Sequence, residues 1–146
     1  MRTVSSQIDI DAIPERVWSV LVDLNHYSEW NPYIRQASGE VSVGATLTLK
    51  ILINGKLTTF RPRVTAVVPG VELRWRACLI NPRIFGGEHR FGLSAIPNAG
   101  GQRTRLEQAE SFTGILLPFL GGMLKGTERN FRAVDQALSE RLSMSP

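Results

Sequence analysis

The residues best placed to do chemistry are three polar side chains, His89, Gln108 and Glu110, on two neighbouring segments of alternating pattern. If residues 98–101 form a hairpin loop, Phe91 lies opposite Gln108 and His89 lies opposite Glu110. All of these side chains then point to one face, because side chains in a strand alternate between the two faces. A buried carboxylate is costly unless it is paired. The spacing therefore predicts an inward His–Glu pair, which a slip of one residue in register would abolish.

This polar group admits three interpretations. In the first it is an anchor inside an apolar pocket, where it would hydrogen-bond a carbonyl or hydroxyl group of a ligand. In the second, His89 or Glu110 acts as a general acid or base for aldol-type cyclisation or for dehydration. In the third, the pair lies at the end of the sheet, is hydrated and has no functional role. The residues alone leave all three open.

The elements that precede this hairpin are a strand and two short helices. Residues 3–10 alternate in polarity, which predicts a strand. Asp11 fits an N-cap position, and Pro14 suits the first turn of a helix because its missing N–H is not needed there. Apolar residues then recur at helical spacing up to Leu24. Residues 28–30 predict a second short helix, which Pro32 ends.

The middle of the chain, residues 41–112, has the pattern of an antiparallel meander. Its alternating segments are separated by the turns Asn54-Gly55 and Pro69-Gly70, by a loop that contains Gly86-Gly87, and by the turn Asn98-Ala99-Gly100-Gly101. After the meander, an apolar stripe from Pro118 to about Leu142 predicts one long helix. A strand, two short helices, a meander and a long helix make an α+β domain.

Several motifs along the chain carry a family resemblance. They are the helix start Pro14–Trp18, the turn Trp30-Asn31-Pro32, the His89-x-Phe91 strand, the hairpin Gly100-Gly101-x-x-Thr104-Arg105-Leu106 and the terminal helix. In this order they resemble the START/Bet v 1-like (SRPBCC) superfamily, in particular its bacterial polyketide cyclase/dehydrase-like branch. The resemblance implies a single domain over residues 1–146. It implies a helix-grip fold, in which a curved antiparallel β-sheet wraps around a long C-terminal α-helix, with two short helices after the first strand.

The resemblance also implies an internal cavity between the sheet and the C-terminal helix. The preferred hypothesis is therefore non-enzymatic binding of a hydrophobic small molecule, such as a lipid, a quinone, a polyketide-like or an aromatic compound. The candidate ligand-binding residues are the polar group and six aromatic residues: Trp30, Phe60, Trp75, His89, Phe91, Gln108, Glu110, Phe112 and Phe131. Each aromatic residue could equally pack in the core. The alternative is an enzyme of the cyclase/dehydratase type that uses the same pocket, with His89 and Glu110 as its catalytic residues.

A second alternative concerns the opposite, convex face of the sheet. Arginines alternate with the apolar residues and point to this face together with glutamates: Arg61, Arg63, Arg74, Arg76, Arg90, Arg103 and Arg105, with Glu72, Glu88 and Glu107. Arg63 is expected opposite Arg76, an unfavourable pairing of like charges. The surplus of positive charge would suit an anionic partner and make the protein an interaction module, but a solvated face explains the same pattern. Specific nucleic-acid binding is not expected, because no aromatic residues interleave with the arginines.

Composition and charge exclude several other classes. The 146 residues carry a net charge of +4 and are 42% hydrophobic, which is ordinary for a soluble domain. The longest uncharged run, Ser111–Leu124, is shorter than the roughly 20 residues of a membrane span, and the N-terminus lacks the apolar stretch of a secretion signal, so a cytoplasmic protein is expected. A single cysteine, Cys78, and two distant histidines give no metal-ligand spacing. No cofactor is expected, because no dinucleotide or phosphate-loop fingerprint is present.

Overall fold

Strand β1 (Arg2–Ile10) opens the computed structural model, which describes residues 1–98 and 101–144. Helix α1 (Pro14–Leu21) and a 3₁₀ helix (Leu24–Glu29) follow it. The next seven strands are β2 (Ile34–Ser38), β3 (Thr48–Ile53), β4 (Lys56–Phe60), β5 (Arg63–Val68), β6 (Glu72–Leu79), β7 (Phe85–Asn98) and β8 (Gly101–Thr113). A short 3₁₀ helix (Leu117–Phe119) precedes the long helix α2 (Gly121–Ser143). None of the helices in these two described ranges is long and apolar enough to cross a membrane.

The strands form two antiparallel sheets, one in the order β1-β8-β7-β6-β5 and the other in the order β2-β3-β4. The first strand pairs with the last, from Arg2 opposite Phe112 to Ile10 opposite Thr104. Backbone hydrogen bonds near the start of β5 join the two sheets: Leu47 N donates to Pro62 O (2.8 Å) and Val64 N donates to Ala45 O (2.8 Å). The curved sheets enclose α2, so the chain has the helix-grip fold that the sequence predicts.

Helix α2 buries a stripe of apolar side chains at helical spacing against the sheet: Leu124, Phe131, Val134, Leu138 and Leu142. Its C-terminal part shares one core with α1 and the sheet, in which Leu138 contacts a cluster that includes Val17, Leu21 and Leu106. Complete burial of a side chain of this size contributes about 1.5–3 kcal/mol. The C-terminal half of α2 therefore provides the packing that fixes the helix against the sheet.

Several local predictions are wrong, each for a structural reason. The N-cap of α1 is Ile13 and makes no side-chain cap, so Asp11 does not have the expected role. The entry to α1 is held instead from the sheet, where Thr104 Oγ1 donates a hydrogen bond to Ala12 O (2.6 Å). Helix α2 begins at Gly121, three residues after the predicted Pro118. Ala99 and Gly100 of the predicted turn at residues 98–101 lie outside the described residues.

Two of the predicted strand boundaries also change. Gly86 and Gly87 lie inside β7, because β7 continues to pair with β6 and β8 through both residues. Strand β2 was not predicted; it begins where Asn31 Oδ1 accepts hydrogen bonds from the backbone N–H groups of Tyr33 (2.9 Å) and Ile34 (2.8 Å). The Trp30-Asn31-Pro32 turn therefore directs the chain from the 3₁₀ helix into the second sheet.

A bulge in β5 changes which valine faces the core. The pairing of β5 with β6 shifts between Val64 and Ala66, so that Thr65 is an extra residue. Beyond the bulge Val67 packs against the core, while Val68 is 47% exposed. The simple alternation that predicts Val68 on the inner face is wrong for this reason.

Candidate functional site

A cavity of about 440 Å³ lies between the two sheets and the N-terminal half of α2. Its apolar wall comes from both sheets and includes Leu49, Ile51, Phe60, Trp75, Phe85 and Phe112. Its polar wall includes Tyr33, His89, Glu110 and Asn130. The volume falls within the range of about 300–1,000 Å³ that small-molecule sites occupy.

The two halves of α2 explain why a gap remains at this end of the sheet. The C-terminal half presents leucines to the core, whereas the N-terminal half presents Gly122, Gly126 and Thr127 to the cavity. A Cβ atom built on Gly122 or Gly126 would meet no other group within 4 Å. The helix therefore leaves empty space where its side chains are absent or small, and the apolar walls of both sheets face that space.

The predicted site residues divide into two groups. Phe60, Trp75, His89, Glu110 and Phe112 line the cavity. The other four lie outside the lining. Phe91, Gln108 and Phe131 are almost completely buried behind it, and Trp30 packs edge-on against Tyr27 with 5.1 Å between ring centroids. Gln108 and Phe131 nevertheless contact His89, so they support the wall without forming it.

The predicted register of the last hairpin is confirmed: His89 pairs with Glu110 and Phe91 pairs with Gln108. His89 Nδ1 lies 3.2 Å from Glu110 Oε1, and His89 Nε2 lies 3.2 Å from Gln108 Oε1. His89 is 5% exposed; its contact with Gln108 is buried and its contact with Glu110 is partly buried. Polar groups in such a low-dielectric setting are strongly coupled.

The hydrogen-bonded chain continues into α2 through a residue that the sequence analysis missed. Gln108 Nε2 donates to Asp135 Oδ1 (2.6 Å) and to Phe131 O (3.1 Å), and Ser6 Oγ donates to Asp135 Oδ2 (2.7 Å). Asp135 is 2% exposed, and burial raises the pKa of its carboxyl group, while the bonds from Gln108 and Ser6 oppose the rise. The signal was available: Asp135 lies four residues after Phe131 and three before Leu138, within the apolar stripe.

The hydrogen bonds fix where one proton of His89 lies. The amide nitrogen of Gln108 faces two acceptors, so its carbonyl oxygen must face His89 and accept from Nε2. With Nε2 protonated, the contact between Nδ1 and Glu110 needs one further proton, carried by either partner. The pair is thus an imidazolium beside a carboxylate or an imidazole beside a carboxylic acid, and it holds a transferable proton at the cavity wall.

Aromatic rings enclose the imidazole. Trp75 stacks on His89 with 5.4 Å between centroids and an interplanar angle of 17°, Phe91 lies at 4.5 Å, and Phe131 meets it edge-on at 4.9 Å. Rings that present their faces to a cation stabilise it. The packing also restricts the imidazole to one orientation, with Nδ1 towards Glu110.

Glu110 reaches the cavity because the neighbouring strand has no side chain at position 87. A Cβ atom at Gly87 would lie 2.6 Å from Glu110 Oε2, well inside contact distance. Across the cavity wall, burial and the negative charge of Glu110 raise the pKa of the Tyr33 hydroxyl, so Tyr33 stays a neutral phenol that can donate a hydrogen bond. Tyr33 and Asn130 are two of the polar wall residues that the sequence does not predict, because neither belongs to a recognisable motif.

The convex arginine face is largely an ion-pair network of the chain itself. Arg74 contacts Glu72 (3.1 Å) and Glu88 (3.2 Å), and Arg90 Nε contacts Glu72 (2.6 Å). Arg63 does lie opposite Arg76, as predicted, and Arg63 Nε donates to Gly44 O (3.3 Å). These contacts satisfy much of the charge internally, and no observation supports an anionic partner for this face. Within residues 1–98 and 101–144, no group of three or more His, Cys, Asp or Glu side chains could hold a metal ion.

Comparison with known proteins identifies one family whose sequence profile matches the chain and several solved structures with a similar fold. The sequence profile of a family described as "Polyketide cyclase / dehydrase and lipid transport" matches residues 1–142. No curated protein matches the sequence. Among solved structures, the Zhui aromatase/cyclase from a Streptomyces species superposes with a TM-score of 0.79 at 19% identity, covering 97% of this chain and 93% of that one.

Two further structures extend the comparison. A START superfamily protein from Mycobacterium smegmatis has a TM-score of 0.75 at 21% identity and covers 97% of both chains. A protein from Mesorhizobium loti has a TM-score of 0.74 at 21% identity and covers 99% of both chains. At these identities the likeness shows the fold alone.

Proposed function

Because the chain belongs to the polyketide cyclase/dehydrase and lipid transport family, we propose that it binds an apolar small molecule in the cavity between the sheets and α2. Lipids, quinones, polyketide-like and aromatic compounds have the required chemistry. The observation that carries the proposal is the cavity of about 440 Å³, which has aromatic and aliphatic walls and one polar cluster. That combination is typical of small-molecule sites, where burial supplies affinity and a few polar groups fix orientation.

Apolar burial supplies much of the driving force for such binding. A bicyclic aromatic ligand buries an area similar to that of a large aromatic side chain, about 200 Å², which is worth about 5 kcal/mol. The loss of translational and rotational freedom offsets part of this gain. The polar cluster supplies the remainder through hydrogen bonds to a ligand oxygen or nitrogen. We therefore expect dissociation constants between about 10 μM and 1 mM for aromatic ligands that fit.

The first experiment is native mass spectrometry of the purified protein, followed by organic extraction and identification of any compound it carries. Binding is then measured with N-phenylnaphthylamine, an uncharged probe whose fluorescence increases in apolar surroundings. A stoichiometric apolar compound, or saturable binding of the probe, supports the proposal. A protein that carries nothing and also leaves the probe unbound contradicts it.

A variant that fills the cavity makes the test specific. Gly126→Leu places a side chain into space where its Cβ meets nothing, and it replaces a helix-interior glycine that costs about 1 kcal/mol in stability. We expect a protein at least as stable as the parent that binds the probe at least about tenfold more weakly. Gly121→Leu is the matched control, because Gly121 also meets no neighbour but does not line the cavity.

A second candidate function is an enzyme of the cyclase/dehydratase type, favoured by the proton that the His89–Glu110 pair holds at the wall. In a dehydration, the pair would accept the proton from the carbon next to a ketone and return a proton to the departing hydroxyl, which leaves as water. An aromatic β-hydroxyketone is a suitable substrate, because its conjugated product absorbs in the near ultraviolet. Glu110→Gln should abolish turnover while the substrate still binds; equal rates with and without protein would exclude this function for that substrate.

A further inference from the structure

We infer that the cavity selects its ligand by charge: it accepts an apolar molecule whose polar end is an uncharged or cationic hydrogen-bond donor, and it rejects carboxylates. The inference rests on the proposed function, because it concerns what the same cavity binds. It follows from the charges at the polar wall, from the hydrogen bonds that already occupy those groups, and from the atoms left free to meet a ligand.

The described wall carries a carboxyl group but no lysine or arginine. Its ionisable side chains are Tyr33, Cys78, His89 and Glu110. His89 is therefore the one possible cation that faces a ligand across this wall. The arginines that dominate the composition of the chain lie on the opposite face of the sheet, where they pair with glutamates.

His89 has no hydrogen left for an anionic ligand. Its Nδ1 is engaged with Glu110 Oε1 and its Nε2 with Gln108 Oε1, at 3.2 Å each. Even as an imidazolium, it donates both of its protons to groups of the protein. Its charge is balanced on both sides, by Glu110 at the cavity and by Asp135 behind Gln108.

Glu110 leaves an acceptor free towards the cavity. Its Oε1 contacts His89, while its Oε2 lies over Gly87, at the position that a side chain at Gly87 would occupy. The side chain of Glu110 is 22% exposed and that of His89 is 6% exposed, so a ligand meets the carboxyl group before the imidazole. A ligand hydroxyl or ammonium can donate to Oε2, whereas a ligand carboxylate would find no hydrogen-bond donor there.

The donors that remain at the wall are uncharged. Among them, Tyr33 offers a phenol hydroxyl and Asn130 an amide, and neither of these side-chain groups hydrogen-bonds to another described residue. Neutral donors can complete the hydrogen bonds of a ligand hydroxyl, but they do not offset the loss of water around a buried carboxylate, which is large without a paired cation. The wall thus favours a donor headgroup because it offers the acceptor of Glu110, and it disfavours an anion because it lacks an available cation.

The test compares three probes that share one apolar body: naphthylmethanol, naphthylmethylammonium and naphthoate. Dissociation constants are measured by displacement of N-phenylnaphthylamine from the wild-type protein at a pH of about 8, where the acid is ionised and the amine is protonated. We expect naphthoate to bind at least about tenfold more weakly than naphthylmethanol. Glu110→Gln should reduce this difference to less than about threefold. Glu107→Gln, on the same strand but the opposite face, should leave it unchanged.

Each outcome decides the matter. Naphthoate that binds as tightly as naphthylmethanol overturns the inference while leaving the proposed function intact. A difference that persists in Glu110→Gln, with the variant folded by circular dichroism, overturns the assignment of the selection to Glu110. If neither N-phenylnaphthylamine nor any of the three probes binds, the proposed function is overturned for this ligand class, and the inference falls with it.

Discussion

The two faces of the five-stranded sheet carry the same kinds of polar pair and use them differently. On the convex face, Arg90 contacts Glu72 and Glu107 where both carboxylates are in reach of water. On the concave face, His89 contacts Glu110 and Gln108 in a chain that continues to buried Asp135. Exposed ion pairs contribute about 0–1 kcal/mol, whereas removal of one partner from a buried pair costs about 3–5 kcal/mol. A buried polar group has few alternative partners, so the concave face is the better place to look for a functional site than the convex face.

Neighbouring residues of β8 give the largest test of this difference. Gln108→Leu removes the acceptor of His89 Nε2 and leaves the carboxylate of Asp135 buried without its amide donor, so we expect a loss of about 3 kcal/mol in the free energy of unfolding. Glu107→Leu, one residue away and facing outwards, should cost less than about 1 kcal/mol. Urea denaturation measures both. Equal midpoints for the two variants would show that the faces do not differ.

Two glycines of β7 offer a smaller and more local test. In Gly87→Ala the added Cβ meets Glu110 Oε2 at 2.6 Å, so the carboxyl group must move from its position at the cavity wall. We expect about 1–2 kcal/mol lower stability and roughly tenfold weaker binding of naphthylmethanol. In Gly92→Ala the nearest atoms belong to the flexible guanidinium of Arg90 on the outer face, which can swing aside. Titration calorimetry of this control should match the wild type.

The pH dependence of stability should have opposite signs on the two faces. Hydrogen bonding and the charges of Arg90 and Arg74 lower the pKa of Glu72, so its contribution is present at neutral pH and is lost as the pH falls through its folded pKa. Burial raises the pKa of Asp135, so its contribution is present at low pH and is lost as the pH rises from its unfolded to its folded pKa. The charged groups around Asp135 are His89 and Arg132, whose attraction opposes the rise.

Denaturation midpoints between about pH 3 and pH 7 separate the two contributions. Glu72→Gln should reduce the loss of stability on acidification. In the wild type, the free energy of unfolding should fall as the pH rises through the folded pKa of Asp135, and Asp135→Asn should remove this fall. If Asp135→Asn makes the fall steeper instead, the partners of Asp135 stabilise its charged form by more than burial destabilises it.

The smallest effect is expected at the like-charge pair on the convex face. Arg63→Glu replaces a repulsion with an attraction across to Arg76, but it loses the hydrogen bond to Gly44 O. Cross-strand charge pairs are worth about 0.2–1 kcal/mol, so the stability should stay within about 0.5 kcal/mol of the wild type. Binding of the naphthyl probes should not change. A large loss of binding would show that the outer face takes part in ligand recognition.

The sequence predicts those features that depend on residues close together in the chain, and it does not predict those that depend on how distant elements pack. The register that pairs His89 with Glu110 follows from alternation along two strands and one short connection, so it could be derived. The contribution of Asp135 depends on how α2 lies against β1, and no periodicity reports that. The carboxylate within the apolar stripe was a usable signal, and it was overlooked. The bulge at Thr65 has no sequence signature, which is why simple alternation places Val68 on the wrong face.

The same reasoning explains the division among the predicted wall residues. Aromatic character predicts that a side chain is buried, but it does not predict what buries it. Phe91 and Phe131 are buried by other side chains of the protein, whereas a wall residue would be buried by a ligand. What separates the core from the cavity is the presence of an opposing side chain. Gly122 and Gly126 remove that side chain from α2, so the position of the cavity is set by the helix rather than by the aromatics of the sheet.

The pairing of the first strand with the last has a consequence for how the protein is made. Strand β1 leaves the ribosome before β2 to β8, yet its partner, β8, extends to Thr113. At about 5–20 residues per second, β1 waits on the order of ten seconds before its partner is synthesised. The cavity wall at Glu110 and the helix that covers it are completed later still. The inner face of β1 therefore stays without its strand partner until β8 has been synthesised, so closure of the five-stranded sheet is a late step in the making of the chain.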